Sequence, residues 1–333
     1  MSTTTTAIRD SSGIRLFSWF LAKRLVQAAV VIAIVSVIVF LLLQALPGGP
    51  ARGILGQQAT EAQIAAFNHE QGFDLPLIQQ YFNYLGQWLQ GDLGRSFVMN
   101  TDVSSLIAQR LPKTMILAVA AIVGALLVAI PLGMTQALRR NKAFDYVMTG
   151  LNFVVYSTPS FFLGLLLIMF FSQLLGWLPA SAPQGDTVAE ILSQPREMVL
   201  PILTSGLAGV ATFSRYMRSA TIDNLHEDYV RTARAKGTPM AKVISRHVLR
   251  NSLTPVVTML GYYLPVMFGG ALVVEQLFNY PGMGLLFWNA AQTTDFPVLL
   301  GCVLVISVAT VVGSLLADIT QFILDPRARG GVK

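Results

Sequence analysis

The sequence predicts an all-α integral membrane protein with six transmembrane helices, both termini cytoplasmic, a structured first external loop and a cytoplasmic helical hairpin. Three observations predict it. Of the 333 residues 53% are hydrophobic and only 12% charged, against about 25% charged for a soluble domain. The apolar residues gather in charge-free stretches, and a hydrocarbon core of about 30 Å needs roughly 20 such residues in a helix. Of the 23 Lys and Arg residues, 18 lie on one side of those stretches. The mean hydropathy of +0.59 excludes disorder. One cysteine, Cys302, excludes a disulfide framework and reads as a small buried or lipid-facing hydrophobe. His69, His226 and His247 have no ligand spacing, so no metal site is expected.

Residues 1–24 form a cytoplasmic N-terminal tail whose Ser2–Ser12 stretch, polar and rich in threonine, is expected to be unstructured. The first span, 25–46, is too long for a signal-peptide core and lacks a small-x-small cleavage site, so it is expected to stay. An external segment, 47–113, is too long for a mere connection and should be structured. Within it Asp74 is a candidate N-cap for a helix with apolar Leu77, Ile78, Tyr81, Phe82, Leu85, Trp88 and Leu89. That helix reads equally as an interfacial helix or as a platform for an external partner. Gly91-Asp92-Leu93-Gly94 ends it.

The second span is 114–137; the third, 146–178, is broken near Pro159 because proline removes a backbone bond. The fourth, 198–214, is the shortest and stops at Arg215. A cytoplasmic loop at 215–250, the fifth span at 251–274, an external loop at 275–295, the sixth span at 296–317 and a cytoplasmic C-terminus at 318–333 complete the order. Because positive side chains are retained in the cytoplasm, the Lys and Arg bias puts both termini there. No span carries a charge at its centre, which weighs against an ion-coupled transporter. Glu275 and Asp318 sit at span margins, as gate or substrate contacts or as ordinary helix-end groups. Small residues four apart at Ala120 and Gly124, and at Ala309, Gly313 and Ala317, mark faces for close helix packing within the chain or against a second subunit.

The loop at 215–250 carries the most information. Gly237 fits the left-handed position after a helix, Thr238 can cap the next, and Pro239 suits its first turn. The product is a helical hairpin. Its second arm has Met240, Val243, Ile244, His247 and Val248 on one face and Lys242, Arg246 and Arg250 on another. Charge retention and headgroup contact explain the sign of the charge. They do not explain the caps, which suit a lever at the membrane surface pushed by a soluble motor. Phosphate-loop, zinc-protease and serine-hydrolase signatures are missing, so the chain is expected to be no enzyme and any energy must come from another subunit.

Tyr229-Val230-Arg231-Thr232-Ala233-Arg234-Ala235-Lys236-Gly237, followed by His247 to Val257, closely resembles the coupling loop of ABC-importer permeases of the dipeptide/oligopeptide branch. Leu46-Pro47-Gly48-Gly49-Pro50 resembles that branch's P-G-D-P motif, with Gly49 where aspartate is usual. Gly91 to Ser96, Arg110 to Thr114, Ser157 to Phe161, Gly176 to Ala180, Glu275 with Phe278, Pro281 to Gly284, and Asp325-Pro326-Arg327 follow in the family's order. The resemblance covers nearly the whole chain, with the permease domain at about 110–325.

It implies the pore subunit of an ATP-driven importer in a bacterial or archaeal cytoplasmic membrane, for di- or oligopeptides, working by alternating access. Implied partners are a second homologous permease, two ATP-binding subunits that use ATP and Mg, an extracytoplasmic solute-binding protein and membrane lipid; the chain binds no cofactor and no nucleic acid. Tyr229 to Gly237 would couple to the ATPase, with Tyr229 and Val230 as knobs in its groove and Arg231, Arg234 and Lys236 orienting it. Asp92, Glu275, Phe278, Gly282 and Gly284 would be gate residues or external contacts. Other cargoes of the branch, nickel chelates, glutathione, haem and oligosaccharides, stay open, as does a secondary transporter or channel without ATPase partners, or a membrane scaffold.

Overall fold

The computed structural model describes residues 4–46, 49–56, 58–96 and 98–324. Fourteen α-helices are assigned among them: α1 (Thr4–Gln44), α2 (Gly49–Leu55), α3 (Glu61–Gln71), α4 (Leu77–Leu89), α5 (Val103–Leu138), α6 (Ala143–Ser157), α7 (Ser160–Leu167), α8 (Val188–Leu192), α9 (Pro195–Leu225), α10 (Asp228–Ala235), α11 (Met240–Val243), α12 (Leu249–Phe278), α13 (Met283–Gln292) and α14 (Phe296–Leu324). Two π-helical segments, Ile168–Leu174 and Ile244–Val248, continue α7 and join α11 to α12. The only strands among the described residues, β1 (Arg95–Ser96) and β2 (Thr101–Asp102), pair antiparallel with Arg95 opposite Asp102.

Four helices among the described residues are long and apolar enough to cross a membrane: Phe17–Gln44, Val103–Leu138, Pro195–Leu225 and Phe296–Ile319. α6 and the following α7 with its π segment form a fifth unit bent by 111°, at the point where Thr158-Pro159 interrupts the chain. α12, 30 residues long, packs against α9 and α14. Pro47, Gly48 and Asp325-Pro326-Arg327 lie outside the described residues.

Three expectations change. The polar Ser2–Ser12 stretch, expected to be unstructured, is helical from Thr4 onward as the start of α1, since it holds no proline to stop a helix propagating. α9 does not stop at 214 but continues to Leu225, because a single arginine carries no backbone penalty and later residues bury Met217, Ala220 and Thr221. Asp74 does not cap α4, which opens at Leu77 after Pro76. A proline disfavours helical geometry in the residue before it, so Leu75 cannot begin the helix. Asp74 instead pairs with His69 at 3.0 Å, and that hydrogen bond holds its carboxyl below the usual range.

α5 and α9 run side by side in the same direction, with small residues along the seam. A Cβ at Gly206 would approach Ala121 O to 3.1 Å, and one at Gly133 would lie 2.5 Å from Ser214 O and 2.7 Å from Met217 Cβ. Such proximity is how membrane helices gain dispersion contacts where lipid offers no hydrophobic drive. Gly133→Val is therefore expected to push α5 from α9 and cost about 1–3 kcal/mol of overpacking, seen as a lower unfolding midpoint in detergent; an unchanged midpoint refutes the seam. Of the Ala309-Gly313-Ala317 set, Ala317 has a partner within the chain, since a Cβ at Gly261 of α12 would lie 2.6 Å from its Cβ.

Candidate coupling hairpin and buried lock

The hairpin follows α9 directly. α10 ends in a Schellman arrangement: Gly237 N–H donates to Arg234 O at 2.9 Å and Thr238 N–H to Ala233 O at 3.1 Å. This requires a left-handed residue, and Gly237 has φ +76°. Beneath the turn Val230, Val243 and Val248 are fully buried against Leu225, Tyr229 and Ala233. Each such valine contributes about 1.5–3 kcal/mol relative to exposure. Val230 is thus a core residue of the hairpin, 2% exposed, and not an outward knob: the amphipathic turn of α10 rotates it inward. Tyr229 is half-buried, its hydroxyl donating to Asn224 Oδ1 at 2.6 Å.

Arg231, Thr232, Arg234, Ala235, Lys236 and Gly237 are exposed and Ala233 is half-buried. Arg231 meets Asp228 at 3.5 Å, but both side chains are largely in solvent and the pair contributes little. Lys242, Arg246 and Arg250 extend the exposed basic rim. Thr238 makes no side-chain cap; the second arm starts at Met240 after Pro239 and turns π-helical from Ile244. Of its expected apolar face only Val243 and Val248 are buried, while Met240 and His247 are exposed, because the extra residue per π turn shifts the face. At this end of the bundle Asp145 of α6 accepts a two-pronged pair from Arg218 of α9, both bonds 2.7 Å, and Asn141 N–H at 3.1 Å. The Lys and Arg census hid that pair by counting Arg218 as a loop charge. Asp318 likewise pairs with Arg24 of α1 at 3.2 Å.

At the opposite end Glu275 is completely buried. Its Oε1 accepts the Thr114 hydroxyl at 2.6 Å, and its Oε2 accepts Gly284 N–H at 2.6 Å and Leu285 N–H at 3.2 Å. Met283 N–H donates in turn to Thr114 Oγ at 2.8 Å. The carboxylate of α12 therefore caps the first turn of α13, whose free N–H groups and dipole favour an anion. Glycine is required at both contacts: a Cβ at Gly282 would fall on the carboxylate, and one at Gly284 on the Leu272 backbone. Tyr280, buried, donates to Lys113 O at 2.7 Å.

Glu275 and Phe278 are consequently not external contacts. Phe278, 1% exposed, packs with Leu117, Met198, Leu200 and Val274, and its carbonyl accepts Ala182 N–H at 2.8 Å. α13 lies as a cap, with Met283, Leu286 and Ala290 on Val103, Ile107, Val298 and Cys302. Thr114 and Tyr280 are the members of this lock that spacing alone could not nominate, since their partners are distant in sequence. Asp92 is exposed; its Oδ1 accepts Gly94 N–H at 2.9 Å, fixing a turn beside a cavity of about 560 Å³ that Tyr84, Arg95 and Leu300 also line.

The sequence that builds this bundle, its capped basic hairpin and its buried lock is similar to known proteins. The family described as "Binding-protein-dependent transport system inner membrane component" matches residues 129–330, and its N-terminal counterpart matches 17–118. This chain belongs to that family. The oligopeptide transport system permease protein AppB of Bacillus subtilis is 36% identical over 310 residues, spanning 92% of this chain and 98% of the relative. The glutathione transport system permease protein GsiC of Salmonella typhimurium is 38% identical over 310 residues, spanning 93% and 98%. The chain is a membrane-embedded permease subunit of an ABC importer, and the hairpin and the lock are parts of a permease.

Proposed function

We propose that this permease is one of two related pore subunits of an ATP-driven importer of di- or oligopeptides, powered by two ATP-binding subunits that use ATP and Mg. An extracytoplasmic solute-binding protein delivers the cargo. α1, α5, the bent α6–α7 unit, α9, α12 and α14 are its six spans, with both termini and the hairpin in the cytoplasm. The hairpin carries this reading. It is closed by a Schellman turn, presents an exposed basic rim and continues through the π segment into α12. A push on Tyr229 to Gly237 therefore moves α9 and α12 together.

The basic rim would orient the ATPase by charge. The Glu275 lock at the far end of α12 would carry that movement to α13 and the external face, completing alternating access. The outward ridge of α4, Leu77, Ile78, Phe82 and Leu89, each more than half exposed, supports seating in the outer headgroup layer beside Tyr84 and Trp88. A glutathione cargo is the second reading, favoured by the identity to GsiC, and glutathione shares the amide and carboxylate chemistry of a short peptide.

Purification of the chain from its native membranes in mild detergent tests the proposal. Recovery of a second permease and ATP-hydrolysing subunits is expected. Recovery of the chain alone, without ATP hydrolysis, would move a channel or scaffold to the front.

A further inference from the structure

Arg215 lies deeper in the bundle than its place in the sequence suggests. Gly133 of α5 abuts Ser214, Met217 and Arg218, so Arg215 stands level with Gly133. Arg139, just past the end of α5, is six residues farther on, roughly 9 Å nearer the cytoplasm at 1.5 Å per residue. Side chains on a helix tilt toward its N-terminus, which for α9 leads away from Arg139 and into the span. The guanidinium packs on aromatic rings. Its Cζ lies 5.2 Å from the centroid of the Tyr156 ring and 5.9 Å from that of Tyr216. Tyr156 is 13 residues beyond Ala143, the first residue of α6, roughly 20 Å along that helix.

Arg215 is exposed on this chain's surface, as is Tyr156 at 57%. Among the described residues no carboxylate lies within ion-pair distance of it. Asn152 and Ser214, hydrogen-bonded to each other at 2.9 Å, add polar groups along the same α6–α9 contact. An arginine facing lipid would turn to the nearer headgroups. This one packs on an aromatic ring of α6.

We propose that Arg215 lines the cargo passage and binds the carboxylate of the transported molecule, with the Tyr156 ring holding the guanidinium in place. The inference rests on the peptide reading above. Every linear peptide with a free C-terminus carries that carboxylate whatever its side chains, so a single guanidinium fork provides a contact common to all sequences.

The test uses the complete transporter with its binding protein in proteoliposomes, comparing native, R215Q and R215K proteins for ATP-driven uptake of tri-alanine and of its C-terminal amide. R215Q is expected to lower tri-alanine uptake about tenfold or more, with R215K intermediate. The amide rate, whatever its native value, stays unchanged, as do subunit recovery and binding-protein-stimulated ATP hydrolysis. Native tri-alanine uptake by R215Q, or an equal fold loss for the amide, overturns the proposal. Loss of the second permease from R215Q preparations assigns Arg215 to the subunit interface and overturns it too. So does a fall in native uptake, and none in R215Q, when anionic lipid is replaced by phosphatidylcholine, which assigns it to a lipid phosphate. No tri-alanine uptake by the native complex overturns the peptide reading, and the carboxylate ligand with it.

Discussion

Glu275→Ala is expected to be the most damaging single substitution in this permease, lowering stability by about 3–5 kcal/mol. Three donors, the Thr114 hydroxyl and the N–H groups of Gly284 and Leu285, lose their acceptor in a site without solvent exposure. A buried donor left unsatisfied costs about 1–3 kcal/mol, and the deleted side chain leaves a void as well. Release of α13 from α5 and α12 follows, and with it transport. Glu275→Gln keeps the shape and one carbonyl acceptor, so it should cost about 1–2 kcal/mol. Thermal unfolding of the purified complex and cysteine accessibility at position 283 measure both. An alanine variant as stable as the native protein, with position 283 still protected, would show that the carboxylate does not hold α13.

Gly237→Val should leave the protein inserted and folded yet abolish transport-coupled ATP hydrolysis. A Cβ at Gly237 meets nothing within 4 Å, so sterics with neighbours are not the reason. The reason is φ +76°, where an L residue costs about 1–2 kcal/mol and a β-branched one is a true outlier. Relief requires the turn to open, losing the Gly237 N–H and Thr238 N–H bonds and swinging the basic rim away from its partner. Gly237→Asn, which tolerates the left-handed region, is expected to retain most coupling. Stimulated ATP hydrolysis and uptake, measured on both variants in proteoliposomes, decide the matter. Normal coupling in the valine variant would remove the hairpin angle from the mechanism.

The hairpin was largely legible because its signals are local. Gly237 must be left-handed and proline at 239 must follow a helix end; each rule acts within a few residues. Val230 marks the limit of that legibility. Its presence in the motif is a fact of sequence, but its burial under Val243 and Val248 depends on how two arms and the end of α9 rotate together. Thr238 has the chemistry of a cap, but the second arm opens one residue later, with Pro239 in the cap position.

Composition, charge-free stretches and the Lys and Arg bias by themselves determined that this is a helical membrane protein, since lipid demands long apolar helices whatever their arrangement. Pro159 likewise marks its bend through its own missing donor. Only the tertiary structure decided what the charged residues do. Glu275 meets Thr114 across 161 positions, Asp145 meets Arg218 across 73, and Arg215 lies against the ring of Tyr156. Hydropathy records how many apolar neighbours a residue has along the chain. The partners of a buried charge are fixed by the rotation and height of packed helices, which small residues such as Gly133 and Gly206 set through contacts far away in sequence.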